Sequence, residues 1–185
     1  MVKHIITSGG QEIGLSRCVR LNSSQAEHGG TAPDATTLVN TRGLAFDANV
    51  ELVFLNFKIP TDWDGISNIM LKICWYPESG DALLLNETCK FDISYNSVAL
   101  TETVDNGAEK AETVTYTEAG NPGTDKLHIH SNITLAYDDG DQPLTADNDL
   151  FIKFNRDFNG DTYAGDAVVL YWELCYTSNA IPTLS

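Results

Sequence analysis

The chain has 185 residues, of which 26 are acidic and 11 basic for a net charge of −15, and 42% are apolar. That length and apolar content suit one domain of ordinary size with a sizeable core. A surface so negative repels phosphate backbones and anionic membranes, which excludes direct nucleic-acid binding and membrane-surface binding, and no apolar run reaches the ~18 residues of a spanning helix.

Met1 to Gly10 lacks the apolar run of a secretory leader, so export by that route is not expected. Ser8-Gly9-Gly10 and the segment Asn22 to Asp34 are small, polar and Gly-rich, with one candidate strand, Ile13 to Leu21, between them. This composition predicts an N-terminal arm with limited structure of its own over residues 1–36, and a β-domain over residues 37–185.

From Thr37 onward the chain reads as strands and turns. Ala45 to Ile59 is apolar on both faces, with Val53, Leu55, Phe57 and Ile59 in one phase and Val50, Leu52 and Phe54 in the other. Such a strand is expected at the centre of a sandwich or under a neighbouring subunit. After the turn Asp62-Trp63-Asp64-Gly65, the segment Ile66 to Tyr76 alternates with period two, as does Ala82 to Tyr95. Asn96 to Lys110 is a polar excursion, and Val114 to Thr117 is a short strand. Lys126 to Tyr137 alternates again, followed by a long acidic loop from Asp138 to Asp149. Leu150 to Phe158 and Ala167 to Thr177 close the domain. Roughly seven to nine strands without an amphipathic helix define the expected fold: all-β, a single jelly-roll-like antiparallel sandwich with an N-terminal arm.

The chemistry-bearing residues form no catalytic constellation, and no enzyme is expected. Cys18, Cys74, Cys89 and Cys175 match no metal or redox spacing. Cys74, Cys89 and Cys175 lie in strand-like segments, which predicts free buried thiols and no need for an oxidising compartment. His4 and His28 fall in the arm. His128 and His130 share a strand face, where a third ligand would complete a metal site and an exposed polar face is the plainer expectation. Asp157, Asn159 and Asp161 place oxygen ligands at alternate positions. An EF-hand also needs Gly and Glu further along, where this chain has Thr162 and Val168. What is left is a looser calcium site joined by Asp166, weighed against ordinary turn chemistry. Acid pairs such as Asp62 with Asp64, or Asp138 with Asp141, have no positioning argument as glycosidase carboxylates. The sequons at Asn22, Asn86 and Asn132 read as chance matches without a leader. Trp75 and Trp172 are in phase with apolar neighbours and belong to the core, whereas Trp63 sits in a turn, where it can cap the sandwich, meet a ligand or anchor a subunit contact.

A set of motifs runs through these strands: Leu44-Ala45-Phe46-Asp47, Lys58-Ile59-Pro60, Trp63-Asp64-Gly65 and Leu71-Lys72-Ile73-Cys74-Trp75. It continues with Asn155-Arg156-Asp157, Asp161 to Ala167 and Glu173-Leu174-Cys175-Tyr176. Over residues 44–178 the chain resembles bacteriophage and other viral virion proteins with a jelly-roll-like domain. The Gly-rich arm and the acidic loop have no counterpart in that pattern. The resemblance implies a virion component (capsid, decoration, head fibre or tail) that assembles with copies of itself and other virion proteins. It also implies a homo-oligomer, with a trimer the form common among such proteins, and brings no catalytic residues. The expectation of a different class is a carbohydrate- or receptor-binding sandwich using Trp63, acidic loops and calcium.

Overall fold

The computed structural model describes residues 15–38, 41–78, 83–102, 109–120, 129–140 and 142–179. Among them the strands are β1 (Leu15–Asn22), β2 (Glu27–His28), β3 (Asp34–Leu38), β4 (Thr41–Phe46), β5 (Leu52–Lys58), β6 (Ile69–Pro77), β7 (Thr88–Val98), β8 (Lys110–Thr117), β9 (Ile129–Leu135), β10 (Asp149–Arg156) and β11 (Ala167–Ser178). Two short 3-10 turns, Ser23–Gln25 and Phe158–Gly160, complete the regular structure. The strands pair antiparallel in two sheets. The first runs β3-β4-β11-β6-β9, with β1 also on β11, and the second runs β2-β5-β10-β7-β8. The expected all-β antiparallel sandwich is the observed fold.

The core lies between the sheets, where the period-two segments place their apolar phase. Phe154 meets Phe46, Phe91 and Trp172 at ring-centroid distances of 5.2–5.5 Å. Trp75 packs edge-on against Phe91 and donates Nε1–H to Ser131 Oγ at 3.1 Å, so a buried indole keeps its hydrogen bond. β11 pairs with β6 along most of its length, with a register shift between Val169 and Tyr171, and on its other edge it changes partners. Its residues Ala167 to Val169 pair with β4, and Tyr171 to Ser178 pair with β1.

Three sequence expectations change here. The described part of the arm is built into the fold: β1 pairs with β11, β2 with β5 and β3 with β4. Gly-rich composition lowers local propensity, but ladder hydrogen bonds to a preformed edge supply the order that the segment lacks alone. Second, Ala45 to Ile59 is two strands, because the Glu51 carboxylate accepts from the Asp47 and Ala48 backbone N–H groups at 2.6 and 2.9 Å and turns the chain. Third, Cys175 is not a free thiol: it is disulfide-bonded to Cys18, directly opposite it on β1. Such a bond persists where thiols are not kept reduced, so the expectation that no oxidising surroundings are called for falls with it. Cys74 and Cys89 are buried free thiols, as expected.

Candidate functional site

The residues singled out for calcium serve the loop from β10 to β11 instead. The inward phase of β10 is Leu150, Ile152, Phe154 and then Arg156, which carries a guanidinium into the interior with no solvent exposure. Burying that charge requires a partner for every N–H. Nε and Nη2 donate to the two Asp161 oxygens at 2.8 and 3.3 Å, Nη1 donates to the carbonyls of Phe46 and Gly165 at 2.9 and 2.6 Å, and Nη2 also donates to the carbonyl of Tyr163. Asp157 accepts from Lys90 Nζ at 2.5 Å and from the Gly160 backbone N–H at 3.0 Å. The Lys90 hydrogen bond holds its carboxyl below the usual carboxylate range. Asn159 takes part through its backbone N–H, which donates to Asn49 Oδ1 at 2.9 Å, and Asp166 through its carbonyl, which accepts from Glu78 N–H at 3.0 Å. The four residues therefore do not converge as a ligand set: the Asp157 and Asp161 carboxylates are committed to Lys90 and Arg156.

Among the described residues, one group of three metal-ligating side chains draws its ligand atoms within 4.8 Å: Cys18, Glu173 and Cys175. Two of those atoms are the bonded disulfide sulfurs. His4 and His128 lie outside the described residues, as does the side chain of His130. In the acidic loop, Asp139 pairs with Lys110 at 2.9 Å and Asp147 with Lys58 at 3.3 Å.

Trp63 is buried at 3% exposure and donates Nε1–H to the Ser67 carbonyl at 3.1 Å. It caps one end of the sandwich and offers no ring to a ligand, which corrects the ligand or subunit-contact reading. The turn folds inward because Asp62 accepts from Ser178 Oγ, Arg17 Nη1 and Tyr176 Oη at 2.7–2.9 Å. Led by the Ser178 hydrogen bond, these contacts lower the Asp62 pKa.

The two outer sheet faces differ. On the first sheet the side chains engage one another. Arg20 binds Glu173 at 2.6 Å and lies 3.8 Å over the Tyr171 ring, the disulfide sits alongside, and Ala45, Tyr76 and Val168 form a small buried cluster. On the second sheet the outward phase is open. Phe54 is 41% exposed, and its register partners are Glu27 on one side and Lys153 on the other. Phe151 lies opposite Asn56, one step along the same face, so Phe54 and Phe151 occupy diagonal positions of the ladder. Across β10 the rows continue to Ser94 and then Ala111, and from Asn155 to Asp92 and Thr113. Asp92 accepts from Thr113 Oγ1 at 2.6 Å. Asn56, Ser94 and Lys153 have no side-chain hydrogen-bond or ion-pair partner among the described residues. An aromatic platform bordered by unengaged amide, hydroxyl and ammonium groups can take a ligand with apolar C–H faces and peripheral hydroxyls.

The sequence signal for this face was phase. Phe54 and Phe151 alternate with the core set, so they point the other way. Phe54 is surplus apolar surface in the sequence pattern, and its polar neighbours come from strands that only the topology brings together.

No protein-family model and no curated protein sequence matches the chain. Among solved structures it is similar to the xylan-binding module CBM15, with a TM-score of 0.51 and 10% identity over 89% of this chain and 99% of that one. It is also similar to the CBM36-1 domain of a multidomain xylanase from the hindgut metagenome of Trinervitermes trinervoides, with a TM-score of 0.46 and 12% identity over 85% of this chain and 96% of that one. The mannan-recognising module TmCBM27 follows at 0.37 and 12%, over 88% and 99%. The match to CBM15, a xylan-binding module, overturns the expectation of a virion structural protein. That resemblance rested on strand and turn residues, and its most specific stretch, Arg156 to Ala167, is the buried arginine loop, a device of folding rather than of assembly.

Proposed function

We propose that this chain is a carbohydrate-binding β-sandwich module that acts by binding rather than by turnover. It lays a glycan across the outer face of the sheet β2-β5-β10-β7-β8. The observation that carries this reading is Phe54, a large aromatic side chain left 41% exposed in the middle of an ordered sheet and flanked by polar groups with unused hydrogen-bonding capacity. A sugar ring offers both halves of the match: its C–H face covers the phenyl ring, and its hydroxyls reach Asn56, Ser94 and Asn155. Similarity of fold to a xylan-binding module supports the class and makes xylan the first ligand to try.

The test is titration calorimetry against xylan and other soluble β-glycans, with Phe54→Ala and, as control, Tyr171→Ala on the opposite face. Phe54→Ala should weaken binding by roughly three- to tenfold, the range of one lost aromatic contact, and Tyr171→Ala should leave it unchanged. The reverse pattern would move the site to the other sheet, and absence of binding to any glycan would sink the reading.

A further inference from the structure

The chain is strongly acidic, yet its proposed binding face carries three lysines, Lys58, Lys90 and Lys153. Two of them are neutralised within the protein. Lys58 faces Asp147 and Asp149 at 3.3 and 3.6 Å, and Lys90 binds Asp157 at 2.5 Å. Lys153 differs from both. It is exposed, it has no ion-pair partner among the described residues, and its strand, β10, is the middle one of the sheet. Its register partners are Phe54 and Ser94, so its ammonium is carried beside the ring that a sugar would cover. A neutral glycan can take a hydrogen bond from that ammonium but leaves its charge without a counter-ion. A sugar bearing an anionic group supplies one.

We propose that Lys153 is a specificity-determining residue that selects an anionic glycan, one with a uronic carboxylate or a sulfate ester near the unit stacked on Phe54. This rests on the glycan-binding reading of the same face. Lysine acts as a point charge rather than a planar fork, so it suits either anion. Glu27 lies in the same cross-strand row on the far side of Phe54, and Asp92 one row along the same face, which confines the favourable charge to the Lys153 side of the ring and disfavours a glycan that is anionic at every unit.

The test compares three probes on one backbone: a neutral xylan oligosaccharide, its uronic-acid-substituted form and its sulfated form. The wild-type chain should bind at least one anionic probe about two- to fivefold more tightly than the neutral one, as for an exposed ion pair. That margin should shrink as salt rises. Whichever anionic probe is preferred identifies the source of the charge. Lys153→Gln should lose the preference and bind all three probes alike, and Lys153→Arg should restore it. Equal binding of the three probes by the wild type, or equal weakening of neutral and anionic probes by Lys153→Gln, overturns the proposal. If the neutral probe still binds in a Phe54-dependent way, the glycan-binding reading survives that failure. Absence of binding to every probe removes both.

Discussion

Two cations three positions apart on β10 lead opposite lives. Arg156 lies in the inward phase with its guanidinium saturated by Asp161 and by the carbonyls of Phe46, Tyr163 and Gly165. Lys153 lies in the outward phase beside Phe54 with no ion-pair partner among the described residues. The alternation of side chains along a strand sends one charge into the core and the other to solvent. An inward charge must be fully partnered within the protein, or the fold does not tolerate it. An outward charge costs the fold little and is available to a ligand. The acidic residues divide the same way, for Asp161 belongs to the interior and Asp92 to the open face. A cluster of carboxylates in the sequence therefore means little until the phase of its neighbours is known.

The comparison breaks most decisively at Arg156. Arg156→Met leaves the Asp161 carboxylate, whose side chain is 1% exposed, without its countercharge, along with three carbonyls that lose a donor. The expected loss of unfolding free energy is about 3–5 kcal/mol, read from urea denaturation. Adding Asp161→Leu should recover part of it by removing the orphan charge, though the carbonyls stay unpaired. A single variant as stable as the wild type would mean that water enters the loop and the pair is not structural.

The disulfide comes next. β1 is exposed over most of its length and buries only part of Leu15 and Leu21, so little hydrophobic free energy holds it. The link between Cys18 and Cys175 closes a separation of 157 residues, and losing such a closure costs about 2–4 kcal/mol. In Cys18→Ser the expected first sign is local: faster amide hydrogen exchange over 15–22, with β6 still protected. Equal loss of protection in β1 and β6 would show that the edge strand and the core open together.

The sequence made some of this legible and hid the rest for identifiable reasons. β6, β10 and β11 stood out because alternation alone defines a half-buried strand. The inward Arg156 was legible as well, since it follows Leu150, Ile152 and Phe154 in phase. A buried arginine demands a carboxylate, so Asp161 was a better candidate for a guanidinium than for calcium. The break between β4 and β5 was hidden because it depends on the Glu51 carboxylate holding two backbone N–H groups, and hydrophobic patterning does not register that. The pairing of Cys18 with Cys175 was hidden because it requires knowing which strand lies beside β11. The open face was half legible: the surplus apolar phase of Phe54 was visible, but that no other described element covers it is a fact of topology.

The smallest effect lies where the two regions meet. Lys90 stands on the outer face of β7, and Asp157 begins the arginine loop, so their ion pair joins the face to the loop. The mutual hydrogen bond lowers the Asp157 pKa and raises that of Lys90. For a carboxyl depressed on folding, the stabilisation is present above the ordinary aspartate range, about pH 4, and fades as pH falls through the lower folded value. For an amine raised on folding, it is present below about pH 10 and fades as pH rises through the higher folded value. Both limits describe one contact and are counted once. Its side chains keep 27% and 22% exposure, so solvent screening holds the contribution to about 0.2–1 kcal/mol. Asp157→Asn should lower stability by that amount at neutral pH and by less at pH 3, with the difference shrinking in high salt. A pH-independent loss would instead assign the role of Asp157 to the bond it accepts from Gly160, and the joint between face and loop would then be a matter of turn geometry rather than charge.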